Sequence, residues 1–326
     1  MSYVLTVESF DSLASYRANP SHPLRWNSPF VLPLWLKVWW QEFGAEAELY
    51  LNSVRQGEKV IGVAPLLVRE GKASLIGSAD VCDYLDFVVV PGKERDFFSA
   101  LLDDLRTKGI NQLDLRPLRP DSTVLTHLVS IAQNQGYEVL CSPEDVSLEL
   151  DLPSTWNEYL AMLTAKQRHE VRRKLRRLAE AGKVDYYIVQ DREAIHDTMD
   201  TFLKMFTESR TDKAAFLTAQ MESFLRSLAD NMAKARLLRL GILELDMLPV
   251  AMVMCFDYND CMYLYNSAYN PQYNALSVGL LCKTLCIKDS IQKGKKRFDF
   301  LKGSETYKYH LGGEEVSLYR CQITIK

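Results

Sequence analysis

The run from residue 263 to 319 limits the fold of this chain more than any other stretch. It begins with Tyr263, Tyr265 and Ser267 alternating with Leu264 and Ala268, the period of a strand. A polar turn containing Pro271 follows, and the pattern becomes helical from Ser277 to Gln292. A second strand, 296–301, ends at Lys302 and Gly303 with Asp299, Glu305 and Lys308 close by. Strand, helix and strand in this order, followed by a last strand at 316–325, predict a mixed sheet covered by helices. The first turn of the helix beside a strand end offers free N–H groups to an anion.

The same order of elements occurs twice. In the first half, a strand at 3–7 and helices at 10–18 and from Pro33 onward precede an antiparallel meander at 47–54, 59–68 and 73–77. The helix from Pro33 carries Leu34, Trp35, Val38, Trp39 and Phe43 as its apolar stripe. Strands at 84–90 and 112–115, helices at 97–108 and 123–135, and strands at 137–141 and 147–150 complete the half. In the second half, two helices with capping-box signatures (Thr155 with Glu158, Thr164 with Gln167) lead to a strand at 185–189. Helices at 194–209 and 215–229 and a hairpin over 235–256 then precede the 263–319 run. The expected fold class is α+β, with domains at 1–152 and 153–326 joined by a short boundary at 150–154.

Composition sets the outer limits. The chain has 326 residues, 47% of them hydrophobic, and a net charge of -3. That is an ordinary globular composition, and it argues against bulk attraction to nucleic acid. No apolar run approaches the roughly 18 residues of a membrane span, and the N-terminus lacks a basic-then-apolar leader. Seven cysteines without CxxC spacing are expected to be buried free thiols in a reducing cytoplasm. The five histidines form no metal-ligand cluster, so no metal is expected. There is no GxSxG, P-loop or GxGxxG motif.

Several charged groups stand out against this background. The helix from Lys166 carries Arg168, Arg172, Arg173, Lys174, Arg176 and Arg177 around a buried stripe of Val171, Leu175 and Leu178. It is either a solvated helix or a phosphate-capturing one, since arginine forks suit phosphate oxygens. Ser277 is either an ordinary N-cap or the start of an anion site made by the N–H groups of Val278 and Gly279. Arg210 and Lys213 lie in a polar stretch between helices, able to close over a phosphate or carboxylate. Asp83, Tyr84 and Asp86 begin an apolar run and suggest an acceptor-binding edge. Glu305 and Lys308 are three apart, which puts them on one helical face.

The second half resembles the GNAT-like acetyltransferase domain of the FemAB and cellulose-biosynthesis (CelD-type) group. The resemblance rests on 237–240, 249–252, 263–269, 276–281, 298–309 and 318–320, on the basic helix, and on 28–35 and 83–87 of the first half. It implies tandem GNAT-like domains and transfer of an acyl group from a thioester, acyl-CoA, to an amine. The acceptor class it implies is an amino sugar or cell-envelope precursor, and no tightly bound cofactor is expected. In that reading Glu305 or Asp299 takes the amine proton, and Lys308 supports the oxyanion. Tyr265 or Tyr269 protonates the leaving thiolate. Ser277, Val278, Gly279, Arg168 and Arg172 hold the donor, while Asp83, Tyr84, Arg210, Lys213, Tyr265 and Lys302 line the substrate side. The usual glycine-rich loop is reduced to Gly279, and the long coiled-coil arm of tRNA-dependent Fem enzymes has no counterpart in 191–239. Two alternatives stay open: an aminoacyl-tRNA donor, and a non-catalytic subunit of polysaccharide assembly.

Overall fold

The computed structural model describes residues 3–78 and 80–325. Met1 and Ser2, part of the segment read for a leader, lie outside the described residues. In chain order the first elements are β1 (Tyr3–Val7), α1 (Phe10–Ala18), α2 (Pro33–Phe43), β2 (Glu48–Gln56), β3 (Lys59–Arg69), β4 (Lys72–Leu75) and β5 (Val88–Val89). Then come α3 (Glu94–Thr107), β6 (Gln112–Leu118), α4 (Val129–Asn134) and β7 (Glu138–Asp151). The remainder begins with α5 (Trp156–Met162), α6 (Ala165–Ala181), β8 (Val184–Val189), α7 (Arg192–Ser209), α8 (Thr211–Phe216), α9 (Ala219–Lys234), β9 (Leu238–Leu245) and β10 (Leu248–Tyr258). It ends with β11 (Cys261–Tyr269), α10 (Val278–Gln292), β12 (Arg297–Lys302), α11 (Thr306–His310) and β13 (Glu314–Thr324).

The chain divides into two units, 1–146 with 316–326 and 147–315. In the first, the strands run β1-β2-β3-β4-β6-β13, with β5 on β3. In the second, the end of β7 (147–151) is followed by β12-β11-β10-β9-β8. Both units follow one plan. An antiparallel meander ends in a strand that pairs in parallel with the next, across a helix: β4 with β6 around α3, and β11 with β12 around α10. A final antiparallel strand closes each, β13 on β6 and β7 on β12.

The closing strands differ from the expectation. The stretches 137–141 and 147–150 are one strand, β7, whose end pairs Ser147 with Lys302 and Asp151 with Arg297. The first unit takes its last strand from the end of the chain, with Thr324 opposite Gln112. The boundary therefore falls at Val146 instead of residue 152, and residues 316–326 belong with the first unit. The pattern of apolar residues marks a strand but says nothing about which neighbour it joins.

Cys141 and Cys321, both in the first unit, form a disulfide. This corrects the expectation of seven free thiols, because a pairing across 180 residues leaves no spacing signal. Cys82, Cys255, Cys261, Cys282 and Cys286 are buried and take no part in a disulfide among the described residues. Among the described residues no helix is long and apolar enough to cross a membrane.

In the second unit the apolar runs of β9, β10 and β11 are buried almost throughout. Helix α10 packs on all three strands and buries Val278, Leu281, Cys282, Cys286, Ile287 and Ile291. Such an extensively apolar helix is a buried element of the unit, not a surface one. Both predicted capping boxes form, at α5 and at α6.

Candidate active site

The second unit opens where β11 and β12 part. Their parallel register covers Cys261 with Arg297, Met262 with Phe298 and Tyr263 with Asp299, yet β11 continues to Tyr269. A bulge at Tyr265 shifts the β10–β11 register, so that Met254 faces Asn266 and Cys255 faces Leu264. On the other side β12 bends sharply, because Leu301 adopts φ +62°, a left-handed conformation that costs a β-carbon residue free energy. Asp299 and Lys308 hold this bend. Asp299 Oδ1 accepts from the Leu301 N–H at 2.8 Å. Lys308 Nζ donates to the carbonyls of Leu301, Lys302 and Gly303 at 2.9, 2.6 and 3.0 Å, and pairs with Glu305 Oε2 at 2.9 Å. Gly303 has φ +106°, a conformation that a residue with a β-carbon adopts only with strain.

A cavity of about 340 Å³ fills the opening. Helix α10 presents Ser277, Gly279, Leu280 and Lys283 to it; β11 gives Ser267 and Tyr269; the segment after β12 gives Glu305 and Tyr307; and Lys174, Arg210, Lys213 and Asn274 complete the wall. Ser277 adopts φ +58° and its side chain does not cap α10. Its hydroxyl accepts from Lys174 Nζ at 2.9 Å instead. The first N–H groups of a 15-residue helix thus reach the cavity without a side-chain cap, beside a lysine. That combination attracts anions.

Two lysines give the cavity its character. Lys283 is 7% exposed, donates to Gly279 O at 3.0 Å and lies 4.8 Å from the centre of the Tyr307 ring. Lys213 donates to Ser267 O and lies 4.6 Å from the Phe206 ring. Burial pushes each ammonium down to about 8, since desolvation disfavours the charged form. After burial, the Lys283 charge is the next largest influence holding Lys213 down. Burial also raises the Tyr307 phenol above its ordinary value.

The structure gathers Glu305, Tyr269, Ser277, Gly279, Arg210 and Lys213 around this cavity. It assigns other tasks to several predicted residues. Lys308 is 2% exposed, and its three N–H donors are engaged by carbonyls and Glu305, so the oxyanion role expected for it has no free donor. Asp299, 2% exposed, serves the β12 bend in place of the expected proton acceptor. Lys302 lends its carbonyl to Lys308, and the side chain does not line the cavity. Arg168 donates to the carbonyls of Leu160 and Ala161 at the end of α5, and Arg172 is exposed on α6; neither lines the cavity. Val278 is fully buried and offers only its main chain. The Tyr265 ring packs on Phe256 at 5.1 Å.

In the first unit Tyr84 is 3% exposed. Its ring meets Phe30 edge-on at 5.7 Å and Arg119 at 4.9 Å, so packing accounts for it. Asp83 is its chain neighbour, half-buried and likewise in the first unit. Asp86, pushed up to about 6 by burial, accepts from the Thr123 hydroxyl and N–H at 2.6 and 2.8 Å. It anchors the turn before α4.

Sequence reasoning missed Lys283 and Tyr307 and read Lys174 only as one cation of a helix. Lys283 carries a signal in retrospect, as a lone cation in the apolar face of α10. Tyr307 carries none, being one aromatic among sixteen tyrosines.

Residues 165–309 match the acetyltransferase (GNAT) domain family. No curated protein matches the chain. Among solved structures, FemX shares the fold at TM-score 0.65 and 12% identity, over 98% of this chain and 96% of that one. A conserved protein of unknown function from Bacteroides thetaiotaomicron VPI-5482 gives 0.63 and 11%, over 99% and 100%. The C-terminal domain of a putative lysylphosphatidylglycerol synthetase from Agrobacterium fabrum gives 0.59 and 11%, over 89% and 87%. The parting of β11 from β12 and the uncapped start of α10 lie within residues 165–309, which match a GNAT acetyltransferase domain, in a chain that shares the fold of FemX and is an acyltransferase.

Proposed function

We propose that the second unit transfers an acyl group from a phosphate-bearing thioester, acyl-CoA, to the amine of an amino sugar or another cell-envelope precursor. The observation that carries this is the α10 N-terminus. Its side chain at Ser277 is engaged by Lys174 instead of capping the helix, and it faces the cavity that holds Glu305 and Tyr307. The N–H groups of Val278, Gly279 and Leu280, with Lys174 and Arg210, take the donor's phosphate. Gly279 lets the helix start lie close to the Tyr269 ring, where a β-carbon would come within 3.1 Å.

The amine attacks the thioester carbonyl and no covalent enzyme intermediate forms. As the C–N bond forms and the C–S bond breaks, Glu305 accepts the amine proton, and Tyr307 protonates the leaving thiolate. Tyr307 suits this role because burial keeps its phenol protonated, a proton held for transfer. Main-chain N–H groups along the edge of β11 and the 269–277 turn polarise the carbonyl.

The test is a titration with acetyl-CoA, followed by thiol release when amines are added. Saturable binding with amine-dependent thiol release supports the reading, and no binding of any acyl-CoA removes it. A second reading, an aminoacyl-tRNA donor, draws on the exposed cations Lys166, Arg172 and Arg176 of α6 and on the FemX-like fold. tRNA binding that survives physiological salt would favour it, since nonspecific basic contacts weaken steeply with salt.

A further inference from the structure

The cavity holds more positive charge than a donor phosphate at the α10 N-terminus accounts for. Arg210 is paired with Asp212 at 2.8 Å, and Lys174 has Ser277 at 2.9 Å and Glu170 at 3.6 Å. Lys213 and Lys283 differ. Among the described residues neither has a carboxylate at ion-pair distance, and each donates to one carbonyl only. An ammonium has three donors; beyond its one carbonyl each lysine also meets a ring, Lys213 over Phe206 and Lys283 over Tyr307, and donor capacity remains on each for the cavity. Burying an unpaired charge costs several kcal/mol, and these two also repel each other. Glu305, the only carboxylate lining the cavity among the described residues, is already engaged by Lys308.

Lys283 also sits away from the phosphate position. Its Nζ bonds the carbonyl of Gly279, whose oxygen points toward the C-terminal end of α10, away from the N–H groups at the helix start. It is beside Tyr307, at the end of the cavity where the acyl group and the amine meet in the proposed reaction. We propose that Lys213 and Lys283 form a carboxylate subsite, which reads a carboxylate carried either by the transferred acyl group or by the acceptor. The place of that carboxylate in the reaction rests on the acyl-transfer reading; its binding to the two lysines does not.

The test is competitive labelling of lysines with trace acetic anhydride, mapped by peptide mass, in the presence of succinate, its neutral isostere succinamide, or inorganic phosphate. Succinate at ten times its Kd is expected to protect Lys213 and Lys283 about ten-fold, and succinamide is expected to protect neither. In Lys283→Met the protection of Lys213 by succinate is expected to fall away. Equal protection by succinamide overturns the proposal, and so does protection by phosphate alone, which would return the pair to the donor's phosphate. Two further arms separate the sources. Tighter binding of succinyl-CoA than butyryl-CoA places the carboxylate on the acyl group. A preference for amino acids over their decarboxylated amines, with coenzyme A present, places it on the acceptor; equality in both arms overturns the assignment to substrate. Failure of coenzyme A itself to bind removes the donor reading and leaves the succinate result standing.

Discussion

At the scale of single residues, three charged side chains of the second unit have opposite relations to stability. Lys308 is buried with its donors met by three carbonyls and Glu305. Removing it orphans those carbonyls and releases the left-handed bend at Leu301. Lys308→Met is expected to cost about 3 kcal/mol or more, read as a lower midpoint in urea. Glu305→Gln keeps an oxygen for Lys308 Nζ but removes the counter-charge of a buried ammonium, so it is expected to cost less than Lys308→Met, about 1–2 kcal/mol, while lowering turnover at least about ten-fold. Normal turnover in that variant would remove Glu305 from the chemistry. Lys283 should behave the other way. Its ordinary value of 10.5 falls to about 8, so between these pH values the unfolded chain holds a proton that the folded chain has lost. Stability then rises with pH across that window, and the whole penalty is present below it. Lys283→Met is expected to stabilise the protein at pH 7 by up to about 3 kcal/mol, a gain that fades by pH 10.5. A destabilising change at pH 7 would show that the ammonium is compensated by a partner.

At the scale of elements, the start of α10 is where sequence and structure part in an instructive way. The helix, the strands on either side of it and the polar turn before it were all legible from periodicity and from Pro271. What Ser277 does was not. A serine at a helix start usually caps it, but here a left-handed backbone directs the hydroxyl to Lys174, more than a hundred residues away. The charged run after β12 was legible as a group, whereas its division of labour was hidden. Which of Asp299, Lys302, Glu305 and Lys308 faces the cavity depends on the turn at Leu301, and nothing in the residue types announces that a leucine will take a positive φ. One expected effect follows for the element as a whole. Lys174→Met is expected to weaken acetyl-CoA binding about ten-fold and to flatten its salt dependence, as loss of one phosphate contact does. Unchanged affinity with an unchanged salt slope, measured by calorimetry at two ionic strengths, would place the phosphate elsewhere.

At the scale of the whole molecule, the exchange of closing strands decides how the chain can fold. The β6 edge of the first unit is covered by β13, which brings Leu318, Cys321, Ile323 and Ile325 into the core at 0, 0, 0 and 4% exposure. The three aliphatic side chains contribute about 1.5–3 kcal/mol each by burial, together comparable with the 5–15 kcal/mol that holds an ordinary domain together. The sheet of the first unit therefore stays incomplete until the last residues of the chain are available, and domain-by-domain folding from the N-terminus is blocked at β6. A fragment of residues 1–152, the domain that residue pattern alone suggests, is expected to lack a cooperative thermal transition. In the full chain truncated after residue 315, hydrogen exchange in 114–118, the part of β6 beyond its pairing with β4, is expected to lose its protection. A peptide of residues 314–326 should restore part of that protection when added back, since the strand it supplies is the one the β6 edge lacks. Protection of 114–118 in the truncated chain without the peptide would show that this part of β6 is held by something other than β13, and the two units would then be closed by their own halves after all.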